Sequence, residues 1–211
     1  KLTPQQMFLK LIYTKEQEKK SELLNTLPST FSNVFVDTNG AAYSTCMGIG
    51  NDLLKKHSTN GTNMLGNVKT SSALTDVTAN KDGIIYASDS HGMIWVYTSQ
   101  GEVIFQLGAE AADKDISGLF TSLTTIAVDN SGNIWTADGE KGYLQSFTPT
   151  EYATTIFKAL KEYENGDYKE ALTDWNYVLR LNQMSVLAHN GVAKAYYNDE
   201  VYDKAMEHFE I

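Results

Sequence analysis

The sequence predicts an array of four-stranded antiparallel β-sheets followed by paired α-helices, and two internal repeats carry that reading. Mid-chain, "VDTNGAAYSTC" from Val36, "ANKDGIIYASD" from Ala79 and "VDNSGNIWTAD" from Val128 share one pattern of apolar strand, tight turn and apolar-aromatic strand. Their turn glycines Gly40, Gly83 and Gly132 lie 43 and 49 residues apart. Nearer the C-terminus the period shortens to 34: Ala159 and Ala193, Tyr168 and Tyr202, Ala171 and Ala205, Trp175 and Phe209.

The bulk properties set bounds. A chain of 211 residues can bury a sizeable core. Apolar residues make up 42% and charged residues 20%, ordinary for a globular protein. A net charge of −9 with no basic stripe argues against a nucleic-acid partner. Cys46, the single cysteine, excludes an intramolecular disulfide framework. No apolar run approaches the ~20 residues of a membrane span, so any membrane attachment is expected through segments outside this chain. No signal peptide is visible, and the chain opens at Lys1 without Met, so both ends are read as cut ends.

The first segment, residues 1–27, reads as a helical hairpin. "TPQQ" places Thr3 as N-cap, Pro4 at the first helical position and Gln6 where a capping box needs it. Met7, Phe8, Leu11 and Ile12 form its apolar stripe. "TKEQ" starts a second helix, which carries Leu23, Leu24 and Leu27 and stops at Pro28.

Residues 28–150 hold the β-repeats. Asn39-Gly40, Asp82-Gly83 and Ser131-Gly132 are turn pairs of the kind that tight hairpins need. A second hairpin follows in two copies, turning at Asn60-Gly61 and Gln100-Gly101. One unit is therefore four short strands in about 40–50 residues, the size of a β-propeller blade. The expectation is a partial propeller of about three four-stranded blades. The third is one strand short, because Pro149 and a helical pattern follow "YLQSF". Nothing at the start of the chain reads as a strand to fill that gap.

Residues 151–211 match the 34-residue tetratricopeptide (TPR) pattern of paired helices. Small residues let the helices approach and the aromatics fill between them. The second copy reaches Ile211 without a capping helix, so its apolar face is expected to be covered by residues outside this chain.

With both patterns in view, the blades resemble NHL repeats: "DGIIYASDSHGMIWVYTSQGEVIFQLG" follows that family's order of acidic turn, aromatic strand and closing glycine. The order of parts resembles bacterial NHL-propeller proteins with C-terminal TPR helices. It runs from "KLTPQQM…TKEQEKK" through "LPSTFSNVFVD" and the blades to "FTPTEYATTIF". The resemblance covers essentially the whole chain. It implies an extracytoplasmic, membrane-anchored accessory protein of Gram-positive bacteria, often near sugar-transport genes, with a propeller larger than the portion present here. The chain departs at "DSHGM", which lacks the family's usual Asn and Arg, and in the degenerate stretch from Cys46 to Asp52.

Few residues suggest chemistry. Asp89 and Asp138 fall at equivalent blade positions, with Cys46 in the third. Carboxylates repeated about a propeller axis can bind a metal, as in lactonase-like or lyase-like enzymes; the plainer reading is that they cap strand ends in turns, which every repeat needs. His91 beside Asp89 is the one candidate pair, and no His spacing matches a metal motif. Cys46 has no activating His in its repeat and reads as a buried thiol. No G-x-S-x-G, phosphate loop or dinucleotide fingerprint occurs. First helices of TPR pairs line a concave face, here carrying Ile156, Leu160, Tyr163, Leu187, Asn190, Lys194 and Tyr197. One Lys and one Asn make a poor peptide-carboxylate clamp, so packing against the propeller is favoured over a peptide groove.

The expectation is a non-catalytic scaffold or ligand-binding module with no cofactor and no metal. Its candidate surface is Asp89, His91, Asp138, Tyr163, Asn190, Lys194 and Tyr197. A protein partner is expected, with a component of carbohydrate transport as a candidate. Unclosed blades with bare strand edges are expected to self-associate.

Overall fold

The computed structural model describes residues 30–48, 53–66, 68–71, 73–111, 113 and 115–210. The helical hairpin expected over residues 1–27 lies outside the described residues.

Three antiparallel sheets follow one another. The first joins β1 (Thr30–Val36), β2 (Ala42–Met47) and β3 (Leu54–His57). The second joins β4 (Leu74–Ala79), β5 (Ile85–Asp89), β6 (Ile94–Tyr97) and β7 (Val103–Leu107). A short parallel pair, β8 (Ala109–Glu110) and β9 (Leu119–Phe120), leads to the third sheet. That sheet joins β10 (Leu123–Val128), β11 (Ile134–Asp138) and β12 (Tyr143–Phe147).

The sequence repeat is a repeat of hydrogen bonding. Each opening strand carries a bulge at the same place, leaving Ser32, Thr75 and Thr124 as the extra residue. All three bear a hydroxyl, and each bonds the facing strand: Ser32 Oγ donates to Thr45 Oγ1, Thr75 Oγ1 pairs with Ser88 Oγ, and Thr124 Oγ1 donates to the Ala137 carbonyl. Gly40, Gly83 and Gly132 have φ of +81°, +82° and +83°, a region that residues with a Cβ rarely adopt.

The sheets stack through their opening strands, β4 against β1 and β2, and β10 against β4 and β5. The second sheet is thereby covered on both faces, and all five residues of β5 are buried. Ile85 and Ala87 join Tyr43, Leu54, Leu74 and Val77 in one core, while Tyr86 meets Val96, Leu123, Ile126 and Ile134 in the other. This explains why the apolar stretch from Ile84 to Ala87, which opens β5, is continuous rather than alternating. Asp76 links the second and third sheets: its Oδ2 accepts from the Thr125 hydroxyl and from the Ile126 amide.

The expectation of about three four-stranded blades needs correction, since among the described residues only the second sheet has four strands. In the first, the fourth strand shrinks to a single bridge between His57 and Asn63. Local bonds compete there: Asn60 Oδ1 accepts from the Thr62 amide and Asn63 Oδ1 from the Leu65 amide. Leu65 and Val68 turn inward and plug the first core instead. The third sheet stops at β12, as Pro149 foretells.

Four helices follow among the described residues: α1 (Glu151–Asn165), α2 (Tyr168–Leu181), α3 (Val186–Asn198) and α4 (Tyr202–Phe209). Thr150 caps α1 and Ser185 caps α3, each through its side-chain oxygen. Consecutive helices pack in sequence. Their core holds Ile156, Ala159, Ala171, Trp175, Val178, Ala188 and Val192. Gly191 lets α3 approach α2, because a Cβ there would sit 2.4 Å from the Trp175 ring. Ile104, Phe157 and Leu160 touch both this core and that of the second and third sheets, so helices and sheets form one continuous interior.

Candidate functional site

The Asp-bearing strand ends are built from turn chemistry. Asp89 closes β5 and is buried; its Oδ1 accepts from the His91 and Met93 amides at 2.9 and 3.0 Å, and its Oδ2 from Trp95 Nε1 at 3.1 Å. Asp138 closes β11 and is also buried. Its Oδ1 accepts from the Glu140 and Lys141 amides and its Oδ2 from the Thr121 and Ser122 amides. Burial alone would push the Asp138 carboxyl up. The Lys141, Thr121, Ser122 and Glu140 amides outweigh it and hold the group below the usual carboxylate range. Asp138 is thus occupied by four backbone amides, and Asp89 by two amides and the Trp95 indole.

His91 itself is exposed, and Asp89 meets it through its backbone amide. Cys46, at the corresponding position of the first sheet, is buried. Among the described residues no group of three or more His, Cys, Asp or Glu is arranged to hold a metal ion.

Sequence reasoning overlooked a second set of turn residues. Asp37, Asn80 and Asp129 open the first turn of each sheet, and each Oδ1 accepts from the amides two and four residues on. In the first and third sheets the other carboxylate oxygen takes the polar atom of the aromatic six residues on: Tyr43 OH at 3.1 Å and Trp135 Nε1 at 3.0 Å. Asp89 and Trp95 repeat the same spacing. Asp129 is held at about 2, first by Trp135 and then by Asn133. An acidic residue followed at six by Tyr or Trp is the signal that would have exposed this device.

The helical candidates divide. Ile156 is fully buried, and Leu160 belongs to the joint between sheets and helices. Tyr163 is half-buried; its hydroxyl accepts from Asn198 Nδ2, and its ring packs on Tyr168. Lys194 lies 3.8 Å from Glu102 of the second sheet. Nearby, Lys161 pairs with Asp82 at 2.7 Å, and the Ser99 hydroxyl donates to Glu164. This side of the helices is therefore largely occupied by the sheets. Asn190 and Tyr197 stay exposed, with Tyr197 edge-on to Tyr202. The seven candidates thus lie in separate places: two strand ends of neighbouring sheets and a helical surface.

One patch of exposed apolar surface lies where the end of α3 meets the last helix. Tyr197, Tyr202, Met206 and Phe209 are 59%, 54%, 56% and 48% exposed. No helix of the described residues is long and apolar enough to cross a membrane.

No protein-family model and no curated protein matches the chain. Among solved structures, it is similar to the computationally designed Ika8 protein at 12% identity and TM-score 0.43, over 56% of this chain and 33% of that one. It is also similar to a protein of unknown function from Bacteroides caccae, at 13% identity and TM-score 0.36, over 58% of this chain and 47% of that one. A third is described as the extracellular domain of a one component system of B. thetaiotaomicron, at 12% identity and TM-score 0.36, over 56% of this chain and 18% of that one. The chain spans less than half the length of each.

Proposed function

We propose that the chain is part of a non-catalytic scaffold outside the cytoplasmic membrane, in which NHL-like propeller blades carry TPR-like helices that present a protein-binding face. The observation that carries this reading is the apolar face of α4. Tyr202, Met206 and Phe209 stand in solvent beside Tyr197, whereas Trp175, the match of Phe209 one period earlier, is buried against Gly191 of α3. Contiguous exposed apolar surface of this kind marks an interaction site. The equivalent bulges, turns and stacked opening strands support propeller blades, and the 34-residue correspondence supports TPR-like pairs. The extracytoplasmic location and the link to carbohydrate transport rest on the family resemblance.

The test is a photo-crosslinker at Met206, introduced in cells that make the protein. A discrete protein adduct that disappears with Phe209→Ser, at unchanged melting temperature, supports the reading. No adduct at this face sinks it. The alternative, a metal-dependent propeller enzyme, has its own measurement. Saturable stabilisation by Ca²⁺, Mg²⁺ or Zn²⁺ that is lost in Asp89→Asn would favour it, because a ligand binding only the native state raises stability.

A further inference from the structure

One contact occurs twice within the chain, and each of its halves stands bare once. Tyr43 of the first sheet shares a core with Leu74 and Val77 of the next opening strand, β4. Tyr86, at the same place in the second sheet, shares a core with Leu123 and Ile126 of β10. Trp135 holds that place in the third sheet. The three rings are 0%, 1% and 44% exposed, so the receiving half is open on the third sheet. The other half is open on the first. By strand pairing, Phe31 and Val34 of β1 match Leu74 and Val77 of β4, and Leu123 and Ile126 of β10. Val77 and Ile126 are 2% and 4% exposed, whereas Val34 is 62% exposed and Phe31 and Val36 are exposed beside it.

We infer that the outward face of the third sheet binds β1 of a second copy of this chain, head to tail, as β10 already sits on the second sheet. The contact rests on the observed stacking alone and uses neither the α4 face nor the scaffold reading.

A second copy is the occupant because the chain itself carries the matching half, and the two halves stay apart and exposed within one chain. Strand pairing puts Thr125, Ala127, Trp135, Ala137, Leu144 and Ser146 on one face of the third sheet. None of them is charged, and neither is Phe31, Val34 or Val36, so the contact buries no unpaired charge. The receiving ring is set in advance: Asp129 holds Trp135 by its Nε1 as Asp37 holds Tyr43 by its hydroxyl. A ring already held loses little freedom on binding. The polar contact repeats as well. Thr75 Oγ1 donates to the Leu123 carbonyl of the next sheet at 3.3 Å. Thr124 has the same bulge position in the third sheet and is exposed, and Phe31 of the second copy supplies the matching carbonyl. A head-to-tail contact closes into a ring where the rotation per copy allows. Two copies bring together six antiparallel sheets, within the range of about four to eight blades in closed propellers.

The experiment uses the whole chain carrying Phe209→Ser, so that the α4 face does not contribute, with mass read by light scattering. The mass is expected to rise with concentration to that of two chains or more by ~0.1 mM. Val34→Lys spoils the β1 half and Leu144→Lys the third-sheet half. Each alone should weaken association about tenfold or more, because the lysine is buried without a partner. Mixed in equal amounts, the two variants should pair again, since each keeps the half that the other lacks. Pairing of like faces gives no such rescue. A mass that stays at one chain overturns the proposal and assigns the bare faces to another part of the chain or to a different protein. It is equally overturned if either variant associates as before, or if the mixture does not pair. Should Val34→Lys or Leu144→Lys not fold, Val36→Lys or Ser146→Lys on the same face takes its place.

Discussion

Trp175 and Phe209 hold the same place in two helical pairs 34 residues apart, yet Trp175 is 2% exposed and Phe209 is 48% exposed. Much else in the two pairs is alike. Ala159, Ala171, Ala193 and Ala205 are all buried. The Tyr163–Tyr168 rings lie 5.2 Å apart and their counterparts Tyr197 and Tyr202 lie 5.5 Å apart. The difference is the next neighbour: α3 lays Gly191 against the Trp175 ring, and no described helix does so for Phe209. In stacked repeats the sequence period sets which side chains face outward along the stack, while burial comes from whatever is stacked next.

The largest expected effect tests the covered half. Trp175→Ala should cost ~3–5 kcal/mol, because the ring fills the space between α2 and α3 and the helices cannot fully close the void. Urea denaturation followed by helical circular dichroism reads this directly. A loss below ~1 kcal/mol would show that the ring is not packed between helices and that the two pairs do not differ in this way.

Gly191→Ala probes the same contact from the other side. Alanine favours the helix by ~1 kcal/mol over glycine, but the new methyl would press on the Trp175 ring at 2.4 Å. Overpacking of this kind costs ~1–3 kcal/mol, so a net loss of up to ~2 kcal/mol is expected. In a Trp175→Leu background the clash is relieved, and the same substitution should become neutral or stabilising. A stabilising effect in the wild-type background would mean that α3 sits farther from α2 than described.

The uncovered pair has a weaker hold of its own. His208 of α4 meets His189 of α3 with Nδ1 atoms 2.9 Å apart, and His189 Nε2 lies 3.0 Å from the Gln183 carbonyl. With His189 donating to that carbonyl, its Nδ1 can accept only while it is neutral. Burial and then His189 hold His208 below its ordinary value. A folded value below the unfolded one means the neutral form is favoured by folding. Stability is therefore complete above about pH 6.5 and declines as pH falls through that value toward the lower folded one. The decline should stay below ~1 kcal/mol at so open a site, visible as earlier exchange of α4 amides near pH 5.5. His208→Gln should flatten it. An α4 whose exchange is insensitive to pH between 7 and 5 would remove the histidine contact from the account.

How much of this was legible beforehand follows the same division. The 43- and 49-residue spacings located the sheets, and the bulges repeat at those intervals because each opening strand carries a hydroxyl residue at one fixed place. Pro149 marked the end of the third sheet. The missing fourth strand of the first sheet was not foreseen, because Asn60 and Asn63 act through local side-chain bonds that no strand pattern encodes. Asp89 and Asp138 stood out by type and period and read as turn caps, but that reading left out the Trp95 indole, which shares Asp89 with two amides. The apolar members of the concave face, Ile156 and Leu160, were read as packing against the sheets in preference to lining a peptide groove, and the second sheet's turns, through Asp82, Ser99 and Glu102, engage that side. The His189–His208 contact joins residues 19 apart on different helices and has no motif to announce it.

The smallest expected effect closes the comparison. Phe209→Ala removes a ring that is half in water and that no described helix covers. Its loss should change stability by no more than ~0.5 kcal/mol, the usual range for surface positions. The same variant should reduce any concentration-dependent association seen by light scattering, since Tyr202, Met206 and Phe209 share one exposed apolar face. Measured beside Trp175→Ala under identical conditions, it gives the difference between a covered and an uncovered copy of one position. If Phe209→Ala instead costs about as much as Trp175→Ala, the ring is covered in solution. The covering body would then be a second copy if the cost grows with protein concentration, and part of the same chain if it does not.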